Sequence, residues 1–291
     1  MSIHNLSFIT PSSILSRKLE LDKKYSRYLI LEDESSLSFA SDIGNREKQQ
    51  DSIAVCQKDN VTLLLVADGM GGLSFGEEVS YITAKTIKQW FQITNTQYLN
   101  TMTEETLKNE IYSLIHIILS TTSYNSGTTL NMSLITNKKT LIVNIGDSRT
   151  YTLKDGKISL ITKDDSQVFE ILKPETTEQR DKLRFHNQNH LITNAISRKK
   201  FPRVRVTTLK NEDYDIICHM TDGVSDILSE STIEELCQSP NGALTLVGSS
   251  IYGSRIRGEY HLTDDQYVEY IQPGKDNATA IVYTKKYTKN N

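Results

Sequence analysis

Val61-Thr62-Leu63-Leu64-Leu65-Val66-Ala67-Asp68-Gly69-Met70-Gly71-Gly72 carries an unbroken apolar run from Leu63 to Ala67 that ends in a carboxylate, with three glycines among the four residues after it. A short β-rich run of this kind reads as a buried strand. Asp68 at its end would be expelled from an apolar core unless something offset its desolvation. So much glycine exceeds what a hairpin needs and implies that the backbone approaches something small.

Working outward, Ser52 to Cys56 is a second β-rich run, separated from Val61 to Ala67 by the turn-like Lys58-Asp59-Asn60, so the two form a hairpin. Downstream, Val79, Ile82, Thr83, Thr86, Ile87 and Trp90 recur at helical intervals, as do Leu107, Ile111, Leu114, Ile115 and Ile118. Thr103 before Glu104 and Glu105 is a start signal for the second helix. Strands are expected again at Thr128 to Thr136, Thr140 to Ile145, and Thr150 to Leu153 turning through Asp155-Gly156 to Ile158 to Ile161. Between about 163 and 195 lies a polar segment with two short helical patterns, read as a mobile flap subdomain. Further strands follow at Val204 to Leu209, Tyr214 to Met220 and Ala278 to Thr284, with a helix beginning near Ser225 and Asp226 in its first turn. Residues 1–36 read as an N-terminal extension able to supply an edge strand, and 37–291 as the main domain. Strands and helices arrive in blocks, which predicts an α+β, four-layer α-β-β-α sandwich of two mainly antiparallel sheets flanked by helix pairs.

The 291 residues, 37% hydrophobic, suffice for a core, and 33 Lys and Arg against 36 Asp and Glu give a net charge of −3. Such a balance disfavours nucleic acid and acidic membranes as partners. Cys56, Cys218 and Cys237 show neither disulfide nor thiolate-zinc spacing, which suits a reducing cytoplasm. A specialised secretion signal would not register in this reading. No apolar run approaches the ~20 residues that span a bilayer.

Three Asp-Gly pairs separate background from signal. Asp155-Gly156 sits between alternating strands and is a hairpin turn. Asp68-Gly69 and Asp222-Gly223 end buried-looking strands, and Asp276 lies just before the last strand. Several carboxylates at strand ends are best reconciled with a shared divalent cation, and oxygen donors select hard ions such as Mg²⁺ or Mn²⁺. His186 and His190, four apart, have no third ligand and read as surface loop. The cluster Arg198, Lys199, Lys200, Arg203 and Arg205 reads as a solvated loop and strand edge, with a lesser chance of greeting acidic phosphopeptides, and Cys218 as core.

From about Ser41 to Tyr283 the chain resembles the metal-dependent protein phosphatase 2C (PPM) family. The resemblance rests on Gly44-x-Arg46 leading to Gln50-Asp51-Ser52, Ala67 to Gly72, Ser126-Gly127-Thr128-Thr129, Ile145-Gly146-Asp147-Ser148-Arg149, Thr221 to Asp226, and Asp276-Asn277-Ala278-Thr279, in that order. It implies a serine/threonine phosphatase in which Asp68 bridges two metals and Gly69 adds its carbonyl. Asp222 and Asp276 would complete the first metal's ligands, Asp51 would act mainly through metal-bound water, and Asp147 with Asp222 would hold a weaker third metal. Arg46 would clamp the substrate phosphate, its planar fork matching two oxygens. Two cations ~3.5–4 Å apart would supply a bridging hydroxide for in-line attack on phosphoserine or phosphothreonine. The implied partners are phosphorylated proteins and a Ser/Thr kinase or its targets.

The chain departs from the family pattern at three places. Met70 stands where animal members have histidine, and a thioether cannot donate a proton to the leaving oxygen. Gln49-Gln50 replaces Asn-Glu, removing a water-mediated carboxylate contact to the second metal. Asp164-Asp165-Ser166 replaces Asp-His-Ser. Two alternatives stand beside the phosphatase: a pseudophosphatase serving as a binding or regulatory module, and a phosphatase of small metabolites.

Overall fold

Leu63, Leu65 and Ala67 pack into one apolar layer while Leu64 and Val66 pack into another, because successive side chains of a strand point to opposite faces. The continuous apolar run is therefore a central strand buried on both sides. The computed structural model describes residues 7–9, 24–31, 34–71, 75–122, 125–258 and 266–285.

In chain order the strands are β1 Ser7–Ile9, β2 Lys24–Ile30, β3 Ser36–Asp42, β4 Asp51–Lys58, β5 Val61–Met70, β6 Gly127–Thr128, β7 Leu130–Ile135, β8 Lys139–Ile145, β9 Arg149–Lys154, β10 Lys157–Leu160, β11 Ile196–Ser197, β12 Arg205–Lys210, β13 Ile216–Met220, β14 Ile256–Arg257, β15 Tyr270–Ile271 and β16 Ala278–Thr284. The helices are α1 Gly76–Ile93, α2 Thr96–Thr101, α3 Glu104–Thr121, α4 Gln167–Leu172, α5 Thr177–Leu183, α6 Asp222–Ser225, α7 Glu230–Cys237 and α8 Gly242–Tyr252.

One sheet runs β1-β4-β5-β7-β8-β12, with β6 and β11 continuing from the end of β5, and the other runs β10-β9-β13-β16-β3-β2. Neighbouring strands are antiparallel in both, for example β4 with β5 and β13 with β16. Leu37, Phe39, Ile53, Val55, Ile142, Ile217 and Ile281 fill the layer between the sheets. Ala84, Ile87, Phe91, Leu107, Ile111 and Ile118 of α1 and α3 cover the outer face of the first sheet. Val224, Ile233, Ala243, Leu246 and Val247 of α6 to α8 cover that of the second. The result is the expected α+β sandwich of two antiparallel sheets between helical layers.

Local signals operate as read. Thr103 accepts the Thr106 amide and caps α3, with Glu104 and Glu105 in the first turn. Asp155 and Gly156 have φ of 50° and 76°, the positive pair a type I′ turn requires. The helix expected near Ser225 instead starts at Asp222, which places Asp226 at its C-cap. A four-residue turn carries no periodicity to read. Within the expected N-terminal extension, β1 pairs with β4 and β2 with β3. Residues 1–6, 10–23 and 32–33 of that extension lie outside the described residues, as does Gly72. Among the described residues no helix is long and apolar enough to cross a membrane.

Candidate active site

The two-residue turn Asp59-Asn60 pairs Lys58 with Val61, and counting back along the ladder sets Asp51 directly opposite Asp68. The backbone of Asp68 is pinned from the side by the Ser126 to Thr129 segment. Its amide donates to Thr129 Oγ1 at 2.9 Å, and its carbonyl accepts from Thr128 Oγ1 at 2.9 Å and from the Thr129 amide at 2.9 Å. From the second sheet, β13 delivers Asp222 at the start of α6 and Asp276 stands two residues before β16. Thr221 joins the sheets: its hydroxyl donates to Asp51 Oδ2 at 2.9 Å and accepts from the Thr279 amide at 3.1 Å.

The glycines after the two aspartates let chain segments close up. A Cβ on Gly223 would stand 1.9 Å from the Asn277 carbonyl oxygen, and one on Gly69 would stand 2.3 Å from the Gly76 carbonyl oxygen and 2.6 Å from that of Gln50. On the side a Cβ would take, close approach at Gly69 is thus to protein backbone. Asn277 ties down the loop that carries Arg46: its Nδ2 donates to the Ile43 and Lys48 carbonyls at 2.9 and 3.0 Å, and its Oδ1 accepts the Gln50 amide at 2.8 Å.

These elements bring Asp51, Asp68, Asp147, Asp222 and Asp276 to one end of the sandwich. Their electrostatics show the crowding. Desolvation, followed by repulsion from Asp222, Asp51, Asp276 and Asp147, holds the Asp68 carboxyl well above the ordinary range. Asp222 is raised likewise by desolvation and by Asp276, Asp147 and Asp226, offset in part by a hydrogen bond to Asp68, which two carboxyl groups form only by sharing a proton. Burial raises Asp51 to about 7, and burial with Asp164 and Asp226 raises Asp147 well above its usual value.

Oxygens Oδ1 of Asp51, Asp147 and Asp222 are buried without a hydrogen-bond partner. Buried oxygens left unmatched in an all-oxygen donor set fit hard divalent cations. Among the described residues no three carboxylate, imidazole or thiolate groups are drawn to one point at metal-binding spacing. Asp276 is turned toward Arg46, whose Nη2 donates to Asp276 Oδ2 at 2.6 Å and whose Nε donates to the Lys275 carbonyl at 3.0 Å.

Several charges near the cleft have partners that the chain itself did not announce. Arg149 donates to Asp164 Oδ2 at 2.9 and 2.7 Å, both side chains being buried. Asp165, fully buried, receives Arg203 at 2.8 Å and Arg205 at 2.5 Å on Oδ1 and the Gly146 amide and Asn194 on Oδ2. Ser166 caps α4. Arg203 and Arg205, expected as part of a solvated basic loop, therefore bind a buried carboxylate, because the strand start at Arg205 runs past the Gly146 turn. His186, expected on a surface loop, is buried and packs edge-on against Tyr267 with ring centres 5.0 Å apart. It lines, with His190, a cavity of about 300 Å³ that also contains Arg46, Asp222 and Asp276.

Residues 40–241 match the family model for protein phosphatase 2C. The serine/threonine phosphatase stp of Listeria monocytogenes is 26% identical over 208 residues, covering 69% of this chain and 82% of that protein. The solved structure of the serine/threonine phosphatase Stp1 from Staphylococcus aureus superposes with a TM-score of 0.68 at 24% identity, covering 85% of this chain and 94% of the other. That of the PstP catalytic domain in complex with two manganese ions superposes at 0.62 and 24% identity, covering 90% and 98%. Two stacked sheets that end in one acidic cleft, and a family match across more than half the sequence, have one meaning: the chain belongs to the protein phosphatase 2C family, the metal-dependent serine/threonine protein phosphatases.

Proposed function

We propose that the acidic cleft removes phosphate from phosphoserine and phosphothreonine with two divalent cations, Mn²⁺ or Mg²⁺. They would be held by Asp68, the Gly69 carbonyl, Asp222 and Asp276, with Asp51 acting through a water and Asp147 with Asp222 offering a weaker third site. The observation that carries this reading is the set of partnerless buried oxygens on Asp51, Asp147 and Asp222 where the two sheets meet. When bound, the cations neutralise charge on the phosphoryl group and lower the pKa of water.

The chain's own residues set the geometry. Thr221 fixes Asp51, the Thr128-Thr129 pair fixes Asp68, and Asn277 holds the loop from which Arg46 reaches the cleft. Arg46, half-exposed and paired to Asp276, leaves that carboxylate to grip two phosphate oxygens. A covalent cysteine route has little support, since all three thiols are buried and desolvation pushes Cys218 well up and Cys237 to about 12.

Substrates on this reading are proteins phosphorylated by a Ser/Thr kinase, met in the cytoplasm, where buried free thiols persist. Residues 163–195 would form the flap beside the cleft. Hydrolysis of p-nitrophenyl phosphate that requires Mn²⁺ and is abolished by a chelator tests the reading. Inertness would leave the pseudophosphatase, and a preference for phosphorylated metabolites over phosphopeptides would displace the protein substrate.

A further inference from the structure

We infer that His190 is the catalytic residue that protonates the departing serine or threonine oxygen, an inference resting on the phosphatase reading above. An alkyl ester leaves as a strongly basic oxygen, so a positioned acid is worth a factor of ~10²–10⁴. Met70 stands beside Asp68-Gly69 and has no proton to give.

The cavity of about 300 Å³ is lined by Arg46, Asp222 and Asp276 together with His186, Asn189 and His190. A phosphate gripped by Arg46 would therefore share its cavity with His190. The segment that carries His190 is held in place. Asn189 Nδ2 donates to Asp226 Oδ2 at 2.8 Å, and Asp226 caps the short helix that begins with Asp222. The Asn187 amide donates to the Gln266 carbonyl at 2.7 Å, and the Val268 amide to the Phe185 carbonyl at 2.7 Å. His190 is thus one residue from a direct tie to the helix bearing Asp222, on a loop clamped from two sides.

Other donors on the cavity suit the task less. His186 is buried, and its Nδ1 is occupied by the Gln188 amide at 3.1 Å. Arg184 is spent on the Ile227 carbonyl at 2.5 Å and the Asp181 carbonyl at 3.2 Å, and a guanidinium does not release its proton. His190 is exposed to the solvent from which it must be reprotonated, and an imidazole can both give and take a proton.

In the step, water oxygen bonds to phosphorus as the P–O ester bond breaks, and the bonding pair leaves on the side-chain oxygen. The imidazolium proton passes to that oxygen, giving the free hydroxyl and inorganic phosphate. Water releases a proton to solvent and the imidazole takes one back.

The test compares wild type, His190→Ala and His190→Gln, all with Mn²⁺, on a phosphoserine peptide and on p-nitrophenyl phosphate. The expected loss in kcat grows with the basicity of the leaving oxygen: ~10²-fold on the peptide and a few-fold on the aryl ester. Added imidazole should restore part of the His190→Ala loss on the peptide. Equal losses on both substrates, or no loss on the peptide, would overturn the role. Wild type inert toward both esters would overturn the phosphatase reading itself.

Discussion

Asp222 and Asp165 are both aspartates close to the junction of the two sheets, yet their surroundings are opposite. Asp222 Oδ1 is buried without a partner, and desolvation with neighbouring carboxylates lifts its pKa well above the ordinary range. Burial pulls Asp165 upward too, but hydrogen bonds from Arg205, Asn194 and Arg203 outweigh it and hold the group below its usual value. At Asp165 the protein has answered its own charge, and the answer is architectural: Asp165 is locked to the Gly146 turn and, through Arg205, to β12. At the cleft the charge is left unanswered, which costs stability and matches the cation site proposed there.

The difference can be broken by experiment, beginning with the cleft. Asp222→Asn keeps the side chain's size but removes charge from the residue shared by the proposed first and third metal sites. Manganese-dependent kcat should fall ~10³-fold or more, with metal-free stability unchanged or slightly raised because repulsion is relieved. Asp147→Asn should be milder. Near-normal turnover in Asp222→Asn together with loss of activity in Asp147→Asn would exchange the two assignments.

At the other pole, Asp165→Ala should cost about 3 kcal/mol in urea unfolding, at the low end for a broken buried pair because Arg203 and Arg205 still reach water. The pH dependence sharpens this. A carboxylate whose folded pKa is depressed adds stability that is complete above its unfolded value of ~3.9 and fades as pH falls through the lower folded value. The variant should lack that acid-side decline, and an unaltered decline would show that Asp165 is not its source.

Mn²⁺ should act on one pole only. At 100 times its Kd it should stabilise wild type by ~2.7 kcal/mol, an increment retained in Asp165→Ala and reduced in Asp222→Asn. Equal stabilisation of both variants would mean that the ion binds elsewhere. The smallest expected effect is at Arg46. Arg46→Ala should raise KM for a phosphopeptide ~10-fold, about 1.4 kcal/mol of lost phosphate binding, while calorimetric Mn²⁺ affinity is not weakened. A large fall in that affinity would make Arg46 part of the metal site rather than the phosphate clamp.

The sequence by itself determined the strands, the hairpins, the capped helix at Thr103 and the family motifs, because periodicity, caps and turn chemistry act over a few residues. The register of the first hairpin was not among these: the turn read as Lys58-Asp59-Asn60 is a two-residue turn at Asp59-Asn60 in the fold, and that one-residue difference is what sets Asp51 opposite Asp68. Only the tertiary structure decided which charges meet. Arg149 finds Asp164 across 15 residues, Arg205 finds Asp165 across 40, and Thr221 finds Asp51 across 170. The same holds for His190, a loop residue in the chain that in the fold lines a cavity with Arg46, Asp222 and Asp276. A carboxylate or an imidazole reads identically in sequence whether it is solvated, paired or stranded. Its state is set by neighbours that local rules do not reach, and those neighbours arrive only when the two sheets stack.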